Sequence, residues 1–162
     1  MTRSRSSRPS RTEEPLARDG GSAPDILGGV RIAADLLTPV IEHAREDHPN
    51  ECCGLIAVRD GVAVSVHRTQ NLAASPLRFE VDGMELHRLL TAIEDRGDAI
   101  GGIYHSHTRS APYPSQTDVN FASGWPGVEW LIVGLADGGA EVRSYFIDSG
   151  TITEVPVEVT GG

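Results

Sequence analysis

With 162 residues, 39% of them apolar, the chain is long enough to bury the core of one domain without disulfide or metal staples. Its formal charge is −9, with every basic residue an Arg, and so acidic a molecule repels phosphate backbones, which argues against nucleic acid as a partner. The two cysteines, Cys52 and Cys53, are adjacent and bridge poorly to each other, no apolar run spans a bilayer, and no apolar stretch follows the Arg- and Ser-rich start; a cytoplasmic protein without disulfides, membrane segment or secretory signal is expected.

Residues 1–28 are Arg, Ser, Pro, Gly and acidic side chains with almost nothing to bury, which reads as a disordered tail. The domain is expected over 29–160, with 161–162 a flexible end. Ile32, Leu36, Leu37, Val40, Ile41 and Ala44 recur at helical spacing ahead of Pro49. Pro39 suits only a first turn, so the regular helix is predicted to begin just before it. Gly54–Val58, the Asp60-Gly61 turn signal and alternating Val62, Val64 and Val66 predict a β-hairpin. A loop at 71–76 leads to a short predicted strand marked by Leu77, Phe79 and Val81.

Asp82 and Glu85 resemble a capping box, and Leu86, Leu89, Leu90 and Ile93 line one face of the helix behind it, which ends at Gly97. Then come a strand at Ala99–Tyr104, a short helix at Ser115–Ala122 and a buried strand at Val128–Leu135. Turns at Asp137-Gly138-Gly139 and Ser149-Gly150 separate the strands Glu141–Ile147 and Thr151–Val159. The pattern predicts an α/β domain, a mixed and mostly antiparallel sheet flanked by helices.

The chemistry is concentrated in Tyr104-His105-Ser106-His107 and, seven residues on, Ser115-Gln116-Thr117-Asp118. Residues two apart on a strand face the same side, so His105 and His107 can aim at one point. Asp118, in the first turn of the next helix, can swing back towards them. Two imidazoles and a carboxylate leave a fourth position open for water, as a catalytic zinc ion requires. Zinc lowers the pKa of that water from ~16 to about 7. Glu51, just before an apolar run, is the candidate proton acceptor, and Ser115 a candidate donor to a developing oxyanion. Ser115 and Asp118 also fit a capping box. His43, His48, His67 and His87 read as ordinary surface or core residues, and Cys52 and Cys53 as small core residues.

His105-Ser-His107, seven residues, Ser115, two residues and Asp118, with Glu51 upstream, resembles the JAMM (MPN+) metalloprotease motif at every defining position. The resemblance spans about 30 to 159. It implies a JAB1/MPN-type fold related to the cytidine deaminases. It also implies one zinc ion with a bound water, held by His105, His107 and Asp118, with Glu51 acting on the water and Ser115 supporting the tetrahedral intermediate. The deaminase His-x-Glu and Pro-Cys-x-x-Cys elements are missing, which disfavours base deamination.

His48-Pro-Asn-Glu-Cys-Cys-Gly54 and Tyr113-Pro-Ser-Gln-Thr-Asp-Val119 further resemble the bacterial sulfur-carrier branch. That implies hydrolysis after the C-terminal Gly-Gly of a small ubiquitin-like carrier, releasing cysteine for its biosynthesis. Two alternatives stay open: the same chemistry on another carrier or peptide in sulfur-transfer or siderophore metabolism, and a scaffold that binds without catalysis. The expected partner is the Gly-Gly-ended carrier, with neither nucleic acid nor membrane, and a homodimer is left open. Gly161-Gly162 copies such a tail but reads most simply as a polar terminus.

Overall fold

The structure, a computed structural model, describes residues 29–161. The expected 1–28 tail and Gly162 lie outside the described residues. The chain begins with a short strand, β1 (Arg31–Ala33), which runs directly into a helix, α1 (Ala34–Asp47). Helix α1 therefore starts before the predicted point and contains Pro39 in its interior. Burial of Val40 and Ala44, with Leu36 and Leu37 packed beside them, outweighs the hydrogen bond that Pro39 forfeits. Ile32, expected in the helical stripe, belongs to β1.

The hairpin forms as predicted, from β2 (Cys53–Arg59) and β3 (Val62–Thr69). At its turn Asp60 has φ 53° and Gly61 φ 76°, the paired positive φ values that an Asp-Gly hairpin turn requires. Residues 77–81 are not a strand, contrary to expectation. They pair with no strand of the sheet, and apolar alternation without a partner makes no ladder. Helix α2 (Gly83–Asp95) follows, capped by Asp82, whose carboxylate accepts from the Glu85 N–H.

Next come β4 (Ala99–His107), α3 (Gln116–Ala122), β5 (Glu129–Gly134), β6 (Glu141–Asp148), β7 (Thr151–Val155) and β8 (Glu158–Thr160). The predicted last strand, Thr151–Val159, is thus two strands parted at Pro156, which cannot donate to a ladder.

All eight strands form one sheet in the order β7-β6-β5-β4-β2-β3-β1-β8. Pairs β2–β3, β2–β4, β5–β6 and β6–β7 are antiparallel, whereas β4–β5, β1–β3 and β1–β8 are parallel. Strands β7 and β8 sit at opposite edges yet are joined by Pro156 and Val157 alone. Two residues reach only ~7 Å beyond a normal step, so the sheet must curl until its edges nearly meet.

The curl produces two apolar clusters. One holds Val40, Ala44, Ile56, Tyr104, Leu131 and Val133, with α1 packed on it. The other holds Leu55, Ile103, Trp130 and Ile132 on the opposite face, under Ile93 of α2 and Ala122 of α3. Residue 54 must be glycine because a Cβ there would lie 2.2 Å from the buried Tyr104 ring.

Candidate active site

The chemistry-bearing residues gather where β4 ends. His105 and His107 share its α2/α3 face and are buried, His105 completely. Parallel pairing with β5 sets His105 opposite Ile132 and His107 opposite Gly134. On the other side, antiparallel pairing sets Cys53 opposite His105, and the Ser106 N–H donates to the Cys52 carbonyl. Glu51 precedes β2 by two residues, buried and close enough to His107 and Asp118 to feel both charges.

The chain then returns through the 108–115 loop. The Tyr145 hydroxyl donates to the Pro112 carbonyl at 2.5 Å, anchoring the loop on β6. At the start of α3, Ser115 Oγ accepts from the Asp118 N–H at 3.2 Å, while Asp118 Oδ2 accepts from the Ser115 N–H at 2.9 Å. This reciprocal capping box fixes the Asp118 carboxylate, and the Ser115 hydroxyl proton stays free to donate elsewhere.

The result is a tight triangle. His105 Nε2 lies 3.1 Å from His107 Nε2 and 3.1 Å from Asp118 Oδ2, and His107 Nε2 lies 3.2 Å from that oxygen. Tetrahedral donors ~2.0 Å from a zinc ion are separated by about 3.3 Å, so the triangle fits such a cation. The donor chemistry agrees. His107 Nδ1 lies 2.9 Å from the Ala111 carbonyl, which fixes the proton there and leaves Nε2 a lone pair. That lone pair faces a carboxylate oxygen, an arrangement favourable only with a positive charge, a cation or a shared proton, between them. Among the described residues His105, His107 and Asp118 are the one group with metal-ligand geometry. Cys52 and Cys53 stand outside it, as free buried thiols.

Burial alone would raise the Asp118 carboxyl, but hydrogen bonds from His105 and His107 hold it far below the usual carboxylate range. Burial pushes His107 down, and its bonds to Asp118 and to the Ala111 carbonyl more than reverse that. Glu51, only 5% exposed, is raised to about 7, chiefly by burial, with His107 opposing and Asp118 reinforcing the rise. A buried carboxyl poised near neutrality, electrostatically coupled to this triangle, can exchange a proton at working pH.

One neighbour escaped sequence reasoning. Phe79 lies with its ring centroid 4.9 Å from that of His105, covering it. His43, expected to be a surface or core residue, is a core one, buried with Nδ1 2.8 Å from the Tyr104 hydroxyl, which ties α1 to β4. Its helical spacing with Val40 and Ala44 was the available signal.

The chain matches the family model described as prokaryotic homologs of the JAB domain over residues 33–148. It is 38% identical over 131 residues to the CysO-cysteine peptidase of Mycobacterium tuberculosis, covering 79% of this chain and 89% of that protein. It is 42% identical over 108 residues to a desampylase of Haloferax volcanii, covering 62% of this chain and 77% of that one. Its fold matches a JAB1/MPN domain protein from Archaeoglobus fulgidus at TM-score 0.56 and 22% identity, covering 82% of this chain and 98% of that one. The chain therefore belongs to the prokaryotic JAB-domain family and is a hydrolase of the JAMM metallopeptidase type.

Proposed function

We propose that this chain hydrolyses the bond that follows the C-terminal Gly-Gly of a small ubiquitin-like sulfur carrier, releasing cysteine in the cytoplasm. The observation that supports this most is the triangle of His105, His107 and Asp118 donor atoms, all within 3.2 Å, with the raised Glu51 carboxyl coupled to it. The similarity to a CysO-cysteine peptidase supports the choice of carrier and leaving residue.

In this reading His105, His107 and Asp118 hold one zinc ion. When bound, zinc supplies Lewis acidity and makes an attached water acidic near pH 7. Glu51 accepts a proton from the attacking water and returns it to the leaving amine. Its raised pKa suits both halves of that exchange. Ser115, held by the capping box, donates its hydroxyl proton to the oxygen that gains charge as the carbonyl is attacked.

The similarity to a desampylase supports a second reading, the same chemistry on an isopeptide joining such a carrier to a protein. Incubating zinc-loaded protein with a Gly-Gly-Cys carrier adduct and with a carrier–lysine isopeptide separates the two. Loss of cysteine mass from the adduct, abolished by chelator and restored by zinc, is the expected result. Cleavage of the isopeptide alone would replace cysteine release, and cleavage of neither would remove the peptidase reading.

A further inference from the structure

Glu51 lies outside every strand and helix, yet both of its backbone polar groups are held by one segment. Its N–H donates to the Ser75 carbonyl at 2.8 Å, and its carbonyl accepts from Asn71 Nδ2 at 2.9 Å. Asn71 is buried just past the end of β3 and uses its whole hydrogen-bonding capacity. Nδ2 also donates to the Arg78 carbonyl at 3.0 Å, and Oδ1 accepts from the N–H groups of Ala73 at 3.0 Å and Glu80 at 2.9 Å. Two donors and one two-lone-pair oxygen are all that an amide side chain offers.

One side chain therefore closes the 71–80 segment on itself and fastens it to Glu51. Backbone bonds assist it, the Leu72 N–H donating to the Glu80 carbonyl at 2.8 Å and the Glu51 N–H to that of Ser75. The segment has no sheet partner, and Leu72 and Leu77 are exposed, at 49% and 73%. A second clamp comes from Thr108, whose Oγ1 lies 3.1 Å from the Pro49 carbonyl and 3.3 Å from that of Pro76. The same segment carries Phe79 over His105. Asn71 and Glu51 line a common groove of about 550 Å³.

We infer that Asn71 is a positioning residue for hydrolysis, fixing the backbone from which the Glu51 carboxyl reaches the reacting atoms. This rests on the reading of Glu51 as the proton-transfer group. A displacement of ~1 Å at such a group can cost about 10²-fold in rate, so an unanchored Glu51 would transfer protons poorly even with zinc in place.

The test uses the full chain, zinc-loaded, with the Gly-Gly-Cys carrier adduct. Asn71→Asp is isosteric and keeps both acceptor roles, but loses the two donations and sets a carboxylate oxygen against two carbonyls. Expected are unchanged zinc content, KM within about twofold and kcat lowered roughly 10- to 100-fold. In the Glu51→Gln background, read by long incubation and mass spectrometry, the same change should cost less than about twofold, because both act through one group. Unchanged kcat with a lowered Tm, or an undiminished effect without the Glu51 carboxylate, would reduce Asn71 to a structural residue.

Should Asn71→Asp fail to fold, Thr108→Val carries the test: a loss confined to kcat supports the inference and an unaltered kcat overturns it. A wild-type chain that binds zinc but cleaves nothing removes the peptidase reading, and the inference falls with it. A wild-type chain that cleaves while Asn71→Asp cleaves equally well removes the inference alone.

Discussion

The ring of Phe79 lies on that of His105, with centroids 4.9 Å apart and planes tilted by 34°. Phe79 also meets Phe121 edge to face at 5.5 Å, so an aromatic pair from the 71–80 segment and α3 walls one side of the triangle of His105, His107 and Asp118. An apolar wall keeps water from competing for a cation and restrains the imidazole beneath it. Phe79→Ala should weaken zinc binding by about 10-fold while leaving the ligands intact. Competition with a chelator of known affinity measures this, and an unchanged zinc affinity would show the wall to be dispensable.

His105→Ala and Asp118→Ala should each abolish stoichiometric zinc and turnover together. Glu51→Gln should keep zinc but lose turnover, since an amide is a poor proton acceptor. Zinc content by mass spectrometry beside adduct hydrolysis separates the two classes. Zinc loss in Glu51→Gln would make Glu51 a ligand instead.

Substitution can part the capping role of Ser115 from its proposed oxyanion role. Ser115→Ala removes the cap on α3, worth ~1 kcal/mol of stability. If its hydroxyl also meets the developing oxyanion, kcat falls about 10²- to 10³-fold, far more than a lost cap explains. Ser115→Thr keeps the hydroxyl and should restore most of both. A kcat that follows stability alone would confine Ser115 to capping.

Glu129 offers a pH-dependent stability signal apart from the catalytic end. Its buried carboxylate accepts from the Ser144 hydroxyl and the Val30 N–H, yet burial prevails and raises its pKa above the ordinary 4.5. A carboxyl raised on folding contributes stability that is complete below its unfolded pKa and is lost as pH rises through its folded value. The stability of wild type relative to Glu129→Gln should therefore be highest below about pH 4.5 and decline as pH rises above it. One group can contribute a slope of at most ~1.4 kcal/mol per pH unit. Urea unfolding across that range checks the sign, and a wild-type advantage that grows with pH would refute it.

The site was legible in the sequence because its geometry is local. Two histidines two apart on a strand must share a face, and Ser115 with Asp118 is a capping box whether or not a metal is near. The hairpin declared itself through Asp60-Gly61. What escaped depended on distant partners. Pro39 sits mid-helix because α1 has a sheet to pack against, a compensation invisible to local rules. Residues 77–81 alternate like a strand but meet no neighbour. Strands β1 and β8 are three residues each, too short to show a period, and pair only because the sheet curls. Asn71 looked like loop punctuation because its value lies in contacts to Glu51, Arg78 and Glu80 across the segment.

The anchoring of Val30 by Glu129 also has a practical side. Glu129 pairs with Gly102, five positions along β4 from His107, or ~17 Å at strand rise. An affinity tag, fluorophore or surface linker joined just ahead of Gly29 thus begins at the remote rim of the sheet. Immobilised that way, the molecule presents the His105–His107 end of β4 outward, away from the support.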